Sequence, residues 1–305
     1  MHTLPLGVTF FERGWLSSNN VLLQDTNLAV LVDSGYWTHA AQTLSLVTAA
    51  LHHRPLTTLI NTHLHSDHCG GNAFLQSHYP SLITLIPPGH ANFVDDWDAQ
   101  ALSYVPTGQH CPPFQKTNVL QDGDFLEVQG KIWRIHAAPG HDPHSVVFFN
   151  EVDGILISAD ALWENGFGVV FPEIEGFSAF DEVESTLDLI EELNPKLVLP
   201  GHGAAFSEVG DAIARARSRL EQFRTSPEKH SSYAAKVLLK FKLLELQKIS
   251  FSELLKWGDT TEYLKLLFVR YGNEENFEDW FYNLCKSLEK SGACEIDRGY
   301  IINTN

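Results

Sequence analysis

The stretch NTHLHSDHCGG, Asn61 to Gly71, packs His63, His65, Asp67 and His68 into six residues. Imidazole and carboxylate groups suit zinc and other borderline first-row cations. Histidines also collect in solvated loops, and this chain has 15 of them, so the cluster alone does not decide the matter. Three later segments add to it. APGHDPHS carries His141, SAD carries Asp160 and PGHG carries His202, each just after an apolar run has ended. In layered α/β domains, side chains converge on a site at strand ends. Seven metal-compatible residues thus arrive at four strand ends, and the absence of cysteine from the set argues against a closed structural zinc site.

The elements that must position these residues can be read from periodicity. GVTFFERG, NNVLLQD and NLAVLVDSG read as antiparallel strands, and His39 to His53 as a helix closed by Pro55. TTLIN is a short run of β-branched character that stops where the histidine cluster begins, and GNAFLQSHY follows with helical spacing. SLITLI, KIWRIHAA, SVVFFN, GILISA and LVLP are further strands, with helices expected near Asp181 to Leu193 and Ser207 to Arg224. Between Pro87 and Gln115 lies an irregular stretch with five prolines, long enough to suggest a cover over a site. Its Trp97, Tyr104 and Phe114 are candidates for one apolar wall, and Trp163 with Phe167 for a second. Beyond Pro227 the pattern turns helical and closes on ACEIDRGYII, a β-hairpin. Residues 1–226 therefore read as a catalytic domain, and residues 227–305 as a small, mainly helical domain with the element order of a winged helix.

HxHxDH at His63 to His68, followed in order by GH at His141, AD at Asp160 and GH at His202, resembles the metallo-β-lactamase superfamily. The order of a catalytic domain and then a helical tail is similar to the branch holding β-lactamase-like protein 2 and glyoxalase II. The resemblance implies an α/β fold, a four-layer αββα sandwich, with a dinuclear centre at one edge. It implies one metal on His63, His65 and His141, a second on Asp67, His68 and His202, and Asp160 between them. The ions would be two per chain, zinc first, with iron or manganese as alternatives. Two cations about 3.5–4 Å apart can share a hydroxide and stabilise both attacking and leaving oxygens. Asp67 would orient that nucleophile and accept its proton. Asp33, in LVDSG, resembles the aspartate that supports a ligand imidazole from behind. Many hydrolytic relatives continue as GHTPGH where this chain has GHDPHS, so His144 does not inherit the role of the second histidine. His52, His90, His110 and His136 fall outside the matched motifs and are expected not to be ligands, and Cys69 is expected to be a small buried filler.

The chain carries 21 Lys and Arg against 38 Asp and Glu, a net charge of −17. The deficit is uneven: residues 1–226 hold 10 cations and 26 anions, a balance of −16, whereas residues 227–305 hold 11 and 12, a balance of −1. A basic track for phosphates is missing from the segment that carries the motifs, which disfavours nucleic acid as a partner. No apolar stretch approaches the roughly 20 residues needed to cross a bilayer. The four cysteines show no CxxC or paired spacing, and the first residues show no signal-peptide pattern, which suits the cytoplasm. The leading expectation is a hydrolase of a small ester, thioester or lactone. A metal-dependent endoribonuclease and a non-catalytic scaffold with a partner-binding tail are the alternatives; the tail is expected to pack on the catalytic domain, line the site or form a homodimer contact.

Overall fold

The computed structural model describes residues 3–272 and 274–304, which divide into two compact units. The first unit comprises residues 3–102 and 111–221, the second residues 103–110 and 222–304. Sequence reading sets the boundary at residue 226 instead, and does not separate residues 103–110 from their neighbours. Backbone bonding explains that segment's place: Tyr263 N donates to Pro106 O at 3.1 Å, and Trp257 Nε1 donates to Gly108 O at 3.2 Å.

Two sheets form the first unit. One runs in the order β1 (Val8–Phe11), β2 (Asn20–Gln24), β3 (Ala29–Val32), β4 (Thr58–Ile60), β5 (Ile83–Ile86) and β6 (Asn118–Val119). Its first three strands pair antiparallel and the rest parallel. The second has β7 (Phe125–Val128), β8 (Lys131–Ala137), β9 (Val146–Asn150) and β10 (Ile155–Ala159) antiparallel, with β11 (Leu197–Pro200) parallel to β10. Helices α1 (Ala40–Ala50), α2 (Ser66–Cys69), α3 (Asn72–His78), α4 (Ala91–Asp95), α5 (Phe171–Glu175), α6 (Phe180–Leu193) and most of α7 (Val209–Thr225) complete it.

The alternation along strands decides the layers. Val21, Leu23, Val30 and Val32 point into a core shared with Trp133, Ile135, Val146, Phe148, Ile155 and Ile157 of the second sheet. Leu22, Leu31 and Leu59 point the other way, onto Val47 and Leu51 of the α1 segment and Leu75 of α3. A sheet buried on both faces reads as a continuous apolar run, which is what VVFFN and ILISA show. The result is the αββα sandwich expected from the motifs.

Sequence reading missed β7, whose residues are mostly half-exposed or exposed, and the one-turn helices α4 and α5. In the second unit, Pro227 opens a helix rather than only ending one: α8 (Pro227–Leu246) has it at the first position, where its missing N–H costs nothing. Then come β12 (Lys248–Ser250), α9 (Phe251–Thr260), α10 (Glu262–Tyr271), α11 (Phe277–Lys290), β13 (Cys294–Asp297) and β14 (Tyr300–Asn303). The closing hairpin is β13 with β14, and β12 adds a third strand on β14. None of the described helices is long and apolar enough to cross a membrane.

Candidate metal centre

Five strands deliver the site. β3 ends at Asp33, β4 at the histidine motif, β8 leads to His141, β10 to Asp160 and β11 to His202. Two of these ends are bent by unusual backbone. Asp33 has φ +59 and Ala159 has φ +46, a left-handed conformation that side chains other than glycine rarely adopt. The β10–β11 register also shifts between Ile157 and Ala159, a device that re-aims the following residue. Such local cost, tolerated at the ends that carry carboxylates, fits a site held by its surroundings.

The seven residues named from the sequence come together in two groups. His63, His65 and His141 form one; Asp67, His68, Asp160 and His202 form the other. Within each group the potential ligand atoms lie within 4.8 Å of one another. All seven are buried or nearly so, with His65 and Asp67 the most open. Gly201 and Gly168 make room for them, because a Cβ on Gly201 would collide with Asp160 Oδ1 and one on Gly168 with His141 Nδ1.

Hydrogen bonds fix which ring nitrogens are free. Asp33 Oδ1 accepts from Thr62 N at 2.9 Å, and its Oδ2 accepts from Thr62 Oγ1 at 2.8 Å and faces His68 Nδ1 at 2.8 Å. A carboxylate accepts, so His68 carries its proton on Nδ1. Thr62 has spent its hydroxyl proton on Asp33, so its oxygen accepts from His63 Nδ1 at 3.1 Å. The Val169 carbonyl likewise takes the Nδ1 proton of His141 at 2.5 Å. Three imidazoles are thereby left with an Nε2 lone pair directed at the centre. For His63 that Nε2 is buried without a hydrogen-bond partner, and for His68 it faces Asp160 Oδ1 at 3.4 Å and Asp67 Oδ2 at 3.7 Å. His65 turns its Nδ1 inward, 2.9 Å from His141 Nε2, and its Nε2 lies 4.0 Å from Asp142 Oδ2.

Electrostatics separates the groups. Burial holds His63 well below the ordinary imidazole range, helped by the neighbouring histidines; burial, then His141, holds His65 at about 4, and burial also lowers His141. All three are neutral lone-pair donors at neutral pH. Burial acts against charge at Asp160 and at Asp67, but His202 and His68 outweigh it and keep both carboxyls below their usual range. Burial likewise lowers His68, and Asp160, Asp33 and Asp67 overcome it to raise that imidazole well above its usual value. Three carboxylates around His68 call for positive charge, which a metal ion supplies as well as a proton does. The donor set therefore fits metal: neutral nitrogens on one side, carboxylates on the other, and the orphaned Nε2 of His63 between.

The remaining expectations divide. His52 is exposed and His136 lies on β8, outside both groups. His144 packs its ring against that of His90, centroids 4.8 Å apart, and its backbone N–H donates to Asp142 Oδ1 at 2.7 Å. Cys69 is fully buried, with Sγ 3.8 Å from that of Cys111. Trp97 and Phe114 pair with each other, ring centroids 5.4 Å apart, Tyr104 belongs to the second unit, and Phe167 is buried. Of the proposed walls, Trp163 meets the centre: its ring lies 5.5 Å from that of His202, and its Nε1 donates to Asp160 Oδ1 at 3.2 Å. Sequence reasoning missed Trp15, stacked on His202 at 5.2 Å, Phe171, edge-on to His65 at 4.8 Å, and Asp142. Asp142 adjoins His141 in the matched motif, which was a usable signal; an isolated Trp or Phe in a loop carries none.

Residues 13–202 match the family described as the metallo-beta-lactamase superfamily. The thioesterase pkgB of Emericella nidulans is 27% identical over 201 residues, covering 65% of this chain and 49% of the relative. A hydroxyacylglutathione hydrolase of Stenotrophomonas maltophilia is 26% identical over 151 residues, covering 50% of this chain and 48% of the relative. The chain thus spans about half the length of these curated relatives. Among solved structures, a metallo-beta-lactamase family protein from Thermus thermophilus superposes with a TM-score of 0.56 at 22% identity, over 99% of this chain and all of that one, a likeness of fold.

Proposed function

Because the chain belongs to the metallo-beta-lactamase superfamily, we propose that it is a metal-dependent hydrolase that cleaves a small acyl substrate, an ester, thioester or lactone. The observation that carries this reading is the pair of convergent donor groups, with His63 Nε2 buried and without a hydrogen-bond partner and His68 Nε2 facing Asp160 and Asp67. His63, His65 and His141 would hold one ion and Asp67, His68 and His202 the other, with Asp160 placed to serve both. Zinc suits a set of nitrogen and carboxylate donors, with iron or manganese as alternatives. Thioesterase and hydroxyacylglutathione hydrolase among the relatives favour a thioester within the acyl class.

When bound, such ions make water a nucleophile near neutral pH and polarise the acyl oxygen. The protein's own groups do the rest. Asp33, through Thr62 and His68, sets the ligand tautomers. The Asp67 carboxylate, 3.0 Å from His202 Nε2, is kept ionised and accepts the proton of the attacking water. Trp15, Trp163 and Phe171 border the donors with apolar surface. Residues 1–226 are read as the catalytic domain. Residues 227–305, whose described residues hold four helices and a three-stranded sheet, are read as winged-helix-like, and the protein as cytoplasmic.

The test is a substrate panel on metal-loaded protein: esters, thioesters, lactones, a phosphodiester and single-stranded RNA. Turnover of acyl substrates with weak salt dependence, lost on Asp67→Ala, supports the reading. Efficient RNA cleavage at physiological salt with inert acyl substrates overturns it in favour of a nuclease.

A further inference from the structure

Arg13 lies half-buried between β1 and β2, in a chain whose net charge is −17, and among the described residues no carboxylate pairs with it. Its partners are neutral. Nη1 donates to Asn20 Oδ1 at 2.7 Å and to Thr43 Oγ1 at 2.8 Å, and Nη2 donates to Gln42 Oε1 at 2.8 Å. A guanidinium only donates, so Asn20 turns its Oδ1 to Arg13 and leaves its Nδ2 for the Asp33 carbonyl, 3.1 Å away. Asp33 is the left-handed residue whose carboxylate faces His68. Thr43 extends the same chain: its hydroxyl donates to Ser34 O at 2.9 Å, and Ser34 N donates to His68 O at 2.7 Å. The Arg13 backbone reaches a different loop. Its N–H donates to Asn19 Oδ1 at 2.7 Å, which directs Asn19 Nδ2 to Pro200 O and Gly203 O, at 2.9 and 2.8 Å, on either side of His202 in sequence.

Resting on the two-ion reading above, we propose that Arg13 is a positioning residue for the second ion, setting His68 through Asn20 and Asp33, and His202 through Asn19. Its chemistry suits the task. The planar fork spans Asn20, Thr43 and Gln42 at once, which the single ammonium of a lysine does not. Asn20 is fully buried, so removing Arg13 leaves its Oδ1 without water to replace the lost donor, and the amide reorients at the expense of the Asp33 carbonyl. A left-handed residue such as Asp33 persists only where its surroundings over-determine it. The first ion is less exposed to this chain of bonds, since only His63 is linked to Asp33, through Thr62, while His141 is oriented by Val169 O. Arg13 bonds to none of the seven donors, and so acts only through other residues.

The test titrates chelated protein with Co2+, read by visible absorption, and with zinc against a chromophoric chelator. Arg13→Leu and Arg13→Met are expected to bind one ion as the parent does and the other about tenfold more weakly. Arg13→Lys should keep part of that affinity, and low-millimolar guanidinium chloride should restore more of it to Arg13→Ala than sodium chloride does. Amide exchange supplies an arm that needs no metal. In Arg13→Leu the N–H groups of Thr62 and Ser34, which Asp33 Oδ1 and His68 O accept, should exchange about tenfold faster, with β9 and β10 unchanged. Two ions held as tightly as in the parent, or both weakened alike with exchange raised throughout the chain, overturns the proposal. A parent that takes up no metal fails the two-ion reading instead, and the exchange arm still decides whether Arg13 sets the Asp33 turn.

Discussion

Asp33 is the residue whose reach is widest for its size: one carboxylate fixes Thr62 directly, His68 by a 2.8 Å contact, and His63 through the Thr62 hydroxyl. Replacing it by alanine frees both imidazoles to flip or retautomerise. Asp33→Ala is expected to weaken metal binding by about 10–100-fold, read by competition with a chromophoric chelator. His136→Ala is the matched control, expected to keep the metal content of the parent, since His136 stands outside both donor groups. Gly201→Ala tests close approach rather than chemistry. Gly→Ala at a tolerant site stabilises a protein by about 0.4–1 kcal/mol. Here the added Cβ would overlap Asp160 Oδ1 and must displace that carboxylate. Lost metal in a variant that still folds, by elemental analysis and near-UV circular dichroism, is the expected result; a parent-like metal content would show that the backbone yields instead.

At the scale of elements, the strands that lead to the two His and Asp groups were legible because apolar, largely β-branched runs break at polar motifs: TTLIN, GILISA and LVLP each stop one or two residues before His63, Asp160 and His202. β7 was not, since FLEV is too short and too exposed to alternate clearly. The aromatic surround was illegible for a different reason. Trp15 lies in a turn and Phe171 opens the one-turn helix α5, and both are placed by distant backbone bonds, Asn19 N to Gly201 O and Phe171 N to His141 O. A prediction of stability belongs to α8. Burial lowers its His230 to about 4, from the usual 6.5. A depressed histidine is neutral when folded, so its contribution is complete above about pH 6.5 and is lost as pH falls from there towards 4, at most about 3 kcal/mol. Urea titrations at pH 7.5 and 4.5 should show a smaller acid-induced loss for His230→Leu than for the parent; equal losses would place the acid sensitivity elsewhere.

For the molecule as a whole, charge and metal set the behaviour. The −16 balance over residues 1–226 leaves few cations to release counterions from a polyanion. Affinity for single-stranded RNA is therefore expected to be poor at 150 mM salt, by fluorescence anisotropy, while acyl turnover changes little between 50 and 200 mM. Metal that binds only the folded chain adds RT ln(1 + [L]/Kd) to stability, so a chelator should lower Tm and re-addition of zinc restore it. The central claim is that His63, His65 and His141 would hold one ion and Asp67, His68 and His202 another, with Asp160 between them. Elemental analysis of protein purified without added metal, followed by zinc titration of the chelated chain, tests it most directly. About two transition-metal ions per chain are expected, with binding impaired by Asp160→Asn; protein that carries none and takes up none on titration would contradict the account.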